Sequence, residues 1–379
     1  MNAGSRVVVV GGGAVGLAAA VRLATDATVT SPREVVLLDA SGSRGASWAA
    51  AGMLAPVSEA VFGEQELTRL NLAAVPAFRR LAADLATLTD TAVALRTEGT
   101  LAVAFSADDR AALERLCDYR DSLGCVTERL SGRAARRSEP FLAADVRFGA
   151  LAVDDLSVDN RQYLAVLRQA AAAAGVRQVE AEVAGLRQDG PRTTGVRLGD
   201  GSEISAEEVL LCAGAATRRL LDLPVEPVKG QILRLRIPER LRSSGPVLTR
   251  TVRALVHGGE VYLVPRANGE VVVGATSEQQ GFDVTVTAGG VYQLLRDAYT
   301  LLPISSEFEF AEAWAGSRPG TPDNGPILGR VAPGLTVATG HYRNGILLSA
   351  LTAEAVTALF GGRPPSAEWE PFGPERFGR

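Results

Sequence analysis

Residues 6–10 are one arginine followed by four valines with no polar position between them. That unbroken run predicts a short strand covered on both faces, at the centre of a parallel sheet. The next six residues, Gly11-Gly12-Gly13-Ala14-Val15-Gly16, predict a tight turn, and the apolar, helix-forming stretch over 17–24 predicts a helix leaving it. A second apolar run over 34–38 predicts a neighbouring strand that ends at Asp39.

Further along, Leu67, Leu70, Leu72, Val75, Phe78, Leu81, Leu85 and Leu88 recur at helical spacing, so 61–90 reads as one long helix, kinked before Pro76. Segments 92–96 and 101–105 read as a hairpin turning at Gly99, and 108–123 as a helix. Arg129, Arg133, Arg136 and Arg137 mark a solvated helical face over 130–140 rather than a phosphate patch. A strand over 149–154 precedes a helix over 159–174 capped by Asp159, and short strands follow at 176–183, 195–198 and 208–212.

From 227 to 284 the pattern turns to strands, at 231–236, 255–257, 261–265 and 270–275. Turns at Gly258-Gly259 and Asn268-Gly269 join them into a mostly antiparallel sheet. A helix over 288–301, a strand over 308–316, an apolar strand over 335–340 and a helix over 344–360 complete the chain. Residues 361–379, rich in proline, glycine and charge, read as a loosely packed tail.

The 379 residues, 46% hydrophobic and 22% charged, hold enough apolar material for two or three domains. A net charge of -4 gives no electrostatic footprint for nucleic acid. Cys117, Cys125 and Cys212 form no metal-spaced cluster, and two histidines are too few for a protein-held zinc or iron site. Met1 to Arg6 run straight into the first strand, leaving no room for a signal peptide, and no apolar run has the length a bilayer crossing needs. The expectation is a soluble cytoplasmic protein.

The chemistry begins in the opening turn. Gly11, Gly13 and Gly16 form G-x-G-x-x-G: the first for the turn, the second for approach of a pyrophosphate, the third for helix–strand packing. Asp39 stands where an acid would accept hydrogen bonds from a ribose. Segment 42–56 is rich in small residues, which lets backbone lie against a large flat ligand and favours flavin over nicotinamide. A glycine-rich structural turn and a flexible loop are the bland alternatives. A strand–turn–helix unit at each end makes the nucleotide-binding domain discontinuous. The fold class is therefore α/β (α+β overall), with a Rossmann-like FAD-binding domain from 1–60, 141–226 and 311–365. Residues 61–140 and 227–310 form a mostly antiparallel substrate domain with helices, and 366–379 the tail.

Five segments resemble a known family: GGGAVG at 11–16, ASWAAAGMLAP at 46–56, VYLVPRANGEVVVGAT at 261–276, WAGSRPGTPDNGPILG at 314–329 and TGHYRNGILL at 339–348. PVKG at 227–230 is similar to the group's domain-crossing strand. Nearly end to end, the chain resembles the FAD-dependent D-amino-acid oxidase family, in its glycine-oxidase branch. The resemblance implies non-covalent FAD contacted by Gly11, Gly13, Ala14, Val15, Gly16, Asp39, Ala46, Ser47, Ala51, Gly52 and Met53. It adds Val183, Ala213, Gly214, His341, Asn344, Gly345 and Ile346, with Arg318 and Arg343 beside the ring. Tyr262, Arg318 and Arg343 match the substrate residues, Arg318 as the carboxylate clamp. The implied reaction is oxidative deamination of glycine, sarcosine or a small D-amino acid, with molecular oxygen as acceptor and peroxide as product. A homo-oligomer, tetrameric in the branch, and a role in the thiazole branch of thiamine biosynthesis are implied likewise. One departure is Ser277, where a representative of the branch carries methionine, so pocket width is open. Related sarcosine oxidases attach flavin through a cysteine in the segment matching 314–329, which here has none.

The residues support parts of this on their own. Arg318, before Pro319 and after a run of small residues, suits a planar carboxylate, or else a structural ion pair to Glu307, Glu309 or Glu312. Arg343 and Tyr262 carry similar structural alternatives. His257 and His341 are the only candidate bases among the histidines, and neither is convincing. Hydride transfer from carbon to flavin demands mainly orientation, so the lack of a base is compatible with it. A helix beginning at Asn344 or Gly345 would aim its N-terminus at the flavin pyrimidine. A flavin dehydrogenase with another electron acceptor, a subunit keeping FAD as a structural element, and a nicotinamide dehydrogenase are the competing readings.

Overall fold

The structure, a computed structural model, describes residues 5–27, 33–40, 44–243, 245–256 and 259–378. A six-stranded sheet runs in the order Ile327–Ala332, Leu335–Thr339, Glu208–Leu211, Arg6–Val10, Glu34–Leu38, Arg177–Val179. It is parallel except at the Ile327–Ala332 edge. The valine run is central, as its pattern predicts. Val7 and Val9 pack with helices Ala14–Ala24, Gln65–Thr89, Asn160–Ala173 and Ser349–Phe360. Val8 and Val10 face an antiparallel meander, Val183–Asp189, Arg192–Leu198 and Glu203–Ser205. Both faces are dry, which is why no position alternates to polar.

The second layer is an eight-stranded sheet in the order Glu309–Gly320, Glu226–Arg236, Glu270–Gly274, Gly259–Pro265, Thr251–Val256, Thr100–Ala104, Phe148–Ala152, Glu128–Ser131. All its pairings are antiparallel except Thr251–Val256 with Thr100–Ala104. Helix Ala288–Leu301 covers it through Leu294, Ala298 and Leu301. A small sheet of Met53–Leu54, Leu156–Val158 and Leu95–Arg96 lies beside the two. Among the described residues no helix is long and apolar enough to cross a membrane.

Several expectations are corrected. Segments 92–96 and 101–105 are not a hairpin: Leu95–Arg96 pairs with Leu156–Val158, whereas Thr100–Ala104 joins the large sheet. Gly99, at φ +80, redirects the chain from one sheet to the other. The single strand expected over 176–183 is two, Arg177–Val179 on the parallel edge and the start of Val183–Asp189 in the meander. The long helix expected over 61–90 is present as Gln65–Thr89, with Pro76 inside it. It packs with the helices of the six-stranded sheet, whereas the sequence pattern assigns 61–140 to the substrate domain. Strand Phe148–Ala152, grouped with the cofactor segments, lies in the eight-stranded sheet. The final helix starts at Ser349, not Asn344. The tail is packed: Trp369 and Phe372, each 4% exposed, join the helical core. Arg376 binds Asp323 at 2.8 Å and the carbonyls of Gly325 and Pro326 at 3.0 and 2.8 Å.

Candidate active site

A cavity of about 540 Å³ runs between the two large sheets. One end is the opening turn, where Gly11, Gly13, Ala14, Val15 and Asp39 line it. Gly11, at φ +110, passes so close to the next strand that a Cβ would stand 2.4 Å from the Cys212 carbonyl oxygen. Gly16 does not reach the cavity; a Cβ there would meet the Gly11 carbonyl oxygen at 1.9 Å, so its role is the helix–strand contact expected of it. Gly13 caps the helix without a side chain, and Ser47 supplies the missing acceptor: its Oγ receives the Ala14 N–H at 3.1 Å. The small-residue segment is thereby tied to the turn.

That segment forms one helical turn, Ala46–Ala49, and then lies along the cavity through Ala51, Gly52 and Met53. Its carbonyls are held from behind. Asn160 Nδ2 donates to Ser47 and Trp48 oxygens at 2.9 and 2.8 Å, and Arg266 donates to Ala51 O at 2.5 Å and Val158 O at 2.9 Å. Asn160 Oδ1 accepts from Arg266 and Arg234 at 3.2 and 3.3 Å. Burial lowers the Arg266 pKa to about 10. Ala213 and Gly214 line the cavity from the strand-end turn, and His341, Asn344, Gly345 and Ile346 from the last turn before the final helix. Val183 does not: it opens a strand of the meander and packs on that side. Because the helix starts at Ser349, the expected helix N-terminus is replaced at the cavity by a turn, with Asn344 N–H bonded to His341 O at 2.8 Å and Leu348 N–H to Asn344 O at 2.8 Å.

The other end brings Tyr262, Arg318 and Arg343 together. Arg318 makes no ion pair among the described residues; Nη1 donates to Thr276 O at 3.2 Å. Two of the expected structural partners are taken, Glu312 by Arg161 at 2.8 Å and Glu307 by Arg240 at 2.8 Å. Tyr262 lies over Gly274, where a Cβ would meet its hydroxyl oxygen at 2.3 Å. Burial raises its pKa against the opposing pull of Arg318, so it stays a neutral donor. Arg343 does have a structural partner, Glu260 at 2.9 Å.

His341 Nε2 meets Thr352 Oγ1 at 2.9 Å, and burial lowers its pKa to about 3. It is neutral and held, not a base. His257 lies outside the described residues. Cys212 also lines the cavity, and burial pushes its thiol far up, away from the reactive thiolate. Sequence reasoning missed Glu59, Arg253 and Glu260, which line the Tyr262 end. Two of them carried a signal: Glu260 is two residues before Tyr262 on one strand, and Arg253 is its partner in register on the next. Glu59, on a loop, carried none.

A glycine cradle that any Cβ would fill, joined to a cavity lined by small residues, fits a flavin dinucleotide. The family model described as DAO, FAD dependent oxidoreductase, matches residues 6–359. The chain belongs to this family of FAD-dependent oxidoreductases. Its FAD-dependent relatives include the glycine oxidase of Geobacillus kaustophilus, 35% identical over 97% of this chain and 95% of that protein. The bifunctional protein ThiO/ThiG of Synechocystis sp. is 34% identical over 100% of this chain. The chain spans about half the length of that bifunctional relative, 55%. Among solved structures, the crystal structure of glycine oxidase from Geobacillus kaustophilus superposes with a TM-score of 0.89 at 33% identity, covering 98% of this chain and 99% of that one.

Proposed function

We propose that this family member oxidises glycine, and with it sarcosine and small D-amino acids, to the 2-oxo acid. For glycine the balance is glycine, oxygen and water to glyoxylate, ammonia and hydrogen peroxide. The observation that carries this reading is Arg318, a guanidinium with no carboxylate partner among the described residues, facing the same cavity as Tyr262. A planar fork of donors beside a small cavity suits the carboxylate of an amino acid.

Gly11, Gly13 and Ala14 would take the pyrophosphate of FAD, and Asp39 its ribose. Segment Ala46 to Met53 and the turn at 341–346 would flank the ring. Bound FAD supplies the two-electron acceptor for the substrate's α-hydride and passes the electrons to oxygen. Arg318 fixes the carboxylate, the Tyr262 hydroxyl donates to it, and small neighbours such as Ala49, Ala275 and Ser277 leave width for an N-methyl group. With His341 neutral and held by Thr352, no histidine described here accepts the amine proton, which leaves to solvent before hydride transfer. The six-stranded sheet with its helices would be the cofactor-binding unit and the eight-stranded sheet the substrate unit. A soluble cytoplasmic homo-oligomer supplying thiazole synthesis for thiamine completes the reading, which the likeness to the ThiO/ThiG protein supports.

The test is the visible spectrum of the purified protein mixed anaerobically with glycine, then opened to air. Bleaching, recovery of colour, and formation of glyoxylate and peroxide are expected. A yellow protein that glycine does not bleach would remove glycine as substrate; bleaching without recovery in air would assign a different electron acceptor.

A further inference from the structure

Five charged side chains face the cavity around Tyr262: Arg318, Arg343, Arg253, Glu59 and Glu260. Four of them are paired. Arg253 donates to Glu59 and lies 3.7 Å from Glu260, and Arg343 donates to Glu260 at 2.9 Å. Three cations against two anions leave one positive charge, and it falls on Arg318. The pairing is unequal in depth: Arg253 and Glu59 are 12% and 14% exposed, while Arg343 and Glu260 sit at the rim, 38% and 53% exposed.

The four paired residues also line a second cavity, of about 320 Å³, which Arg318 and Tyr262 do not reach. They form the partition between the two volumes. A substrate whose carboxylate rests on Arg318 therefore points any longer substituent at this row.

We propose that Glu59 and Glu260 are specificity-determining residues that confine the site to amino acids bearing a single carboxylate. They do so by occupying Arg253 and Arg343. This rests on the reading of Arg318 as the carboxylate-binding residue. A second carboxylate arriving at the row finds both guanidinium groups neutralised and two glutamates beside it, and like charges in a partly dry site repel strongly. An uncharged extension, such as the N-methyl of sarcosine, meets no such penalty.

The test uses the FAD-loaded enzyme and two ligands of equal reach, propionate and malonate, titrated while the flavin absorbance is followed. The wild type binds malonate at least tenfold more weakly than propionate. Glu260→Gln, at the exposed rim where folding tolerates it, lowers the malonate-to-propionate Kd ratio at least fivefold; Glu59→Gln acts in the same direction. In turnover, the kcat/KM ratio of iminodiacetate to sarcosine rises at least fivefold in Glu260→Gln. A wild type that binds both ligands equally, or a Kd ratio that moves less than fivefold in Glu260→Gln, overturns the proposal. Failure of the underlying reading has its own signature: propionate affinity is then the same in Arg318→Ala as in the wild type, and the proposal falls with it.

Discussion

A Cβ on Gly230 would stand 2.4 Å from both Nη1 and Nη2 of Arg318, so the guanidinium fills the volume that any side chain at 230 would need. The two residues belong to paired strands, Val228 lying opposite Arg318 and Gly230 opposite Gly316. The arginine thus leans along its neighbour strand toward the cavity. Gly230→Ala is expected to push Arg318 out of line and raise KM for glycine roughly tenfold or more, from loss of one charge-assisted hydrogen bond of about 1.5–3 kcal/mol. Steady-state kinetics on protein that retains its flavin checks this.

Replacing Arg318 itself should cost more. Arg318→Ala removes both bonds of a fork, and kcat/KM for glycine falls by roughly 10²–10⁴. Arg318→Lys keeps the charge but not the planar pair of donors, and recovers only a small part of the loss. If lysine restores activity to within threefold of wild type, charge alone suffices and the bidentate reading is wrong.

Arg318 was legible only through the resemblance of its segment to the family, whereas several elements were legible because each sits in a run whose geometry is local. The glycine turn, the valine strand and the helix Ala288–Leu301 depend on neighbours a few positions away, and pattern alone places them. What was lost is non-local. Gly99 sends one strand to each of two sheets, and nothing near it in sequence tells that from a hairpin. Glu59 meets Arg253 across 194 positions, and Asn160 meets the Ser47 carbonyl across 113. The composition of 361–379 suggested a loose tail, but two aromatic side chains outweigh the proline and glycine around them.

His341 makes stability depend on pH. Its pKa is lowered by burial to about 3 in the folded chain, against 6.5 unfolded. Between those values the unfolded state binds the extra proton, so this residue's contribution is full above about 6.5 and is lost as pH falls toward 3. Thermal unfolding of His341→Gln and wild type from pH 7.5 to 4.5 should show the variant destabilised at neutral pH by about 1 kcal/mol, for the lost bond to Thr352. The gap closes and then reverses as the pH is lowered, because only the wild type carries the buried imidazole. The pH dependence of glycine turnover above 6.5 should keep its shape in the variant, because a neutral, held imidazole moves no proton there.

Asn160 is the hinge between the buried arginines and the segment along the cavity. Its amide donates to two carbonyls and accepts from two guanidinium groups, and Asn160→Ala leaves all four without it. Each buried group stripped of its partner costs about 1–3 kcal/mol, so the 46–53 segment should loosen. The expected result is an FAD Kd at least tenfold higher, measured by flavin fluorescence on reconstitution. Asn160→Asp serves as the comparison, because it keeps the acceptor and loses the donors.

The C-terminal turns should prove to be part of the core. Trp369 and Phe372 pack into the cluster that holds helix Gln65–Thr89, and Phe372 fills the space over Gly325, where a Cβ would lie 2.6 Å from its ring. Arg376 then pins the loop at 323–326 from outside. Trp369→Ala removes a large buried side chain and should cost about 3–5 kcal/mol. Arg376→Ala, at a partly buried side chain that leaves no closed cavity, should cost only about 1–2 kcal/mol. Urea unfolding followed by far-ultraviolet circular dichroism measures both. A Trp369→Ala midpoint indistinguishable from wild type would return this segment to the status of a tail, because a side chain that merely rests on a surface leaves no cavity when it is cut away.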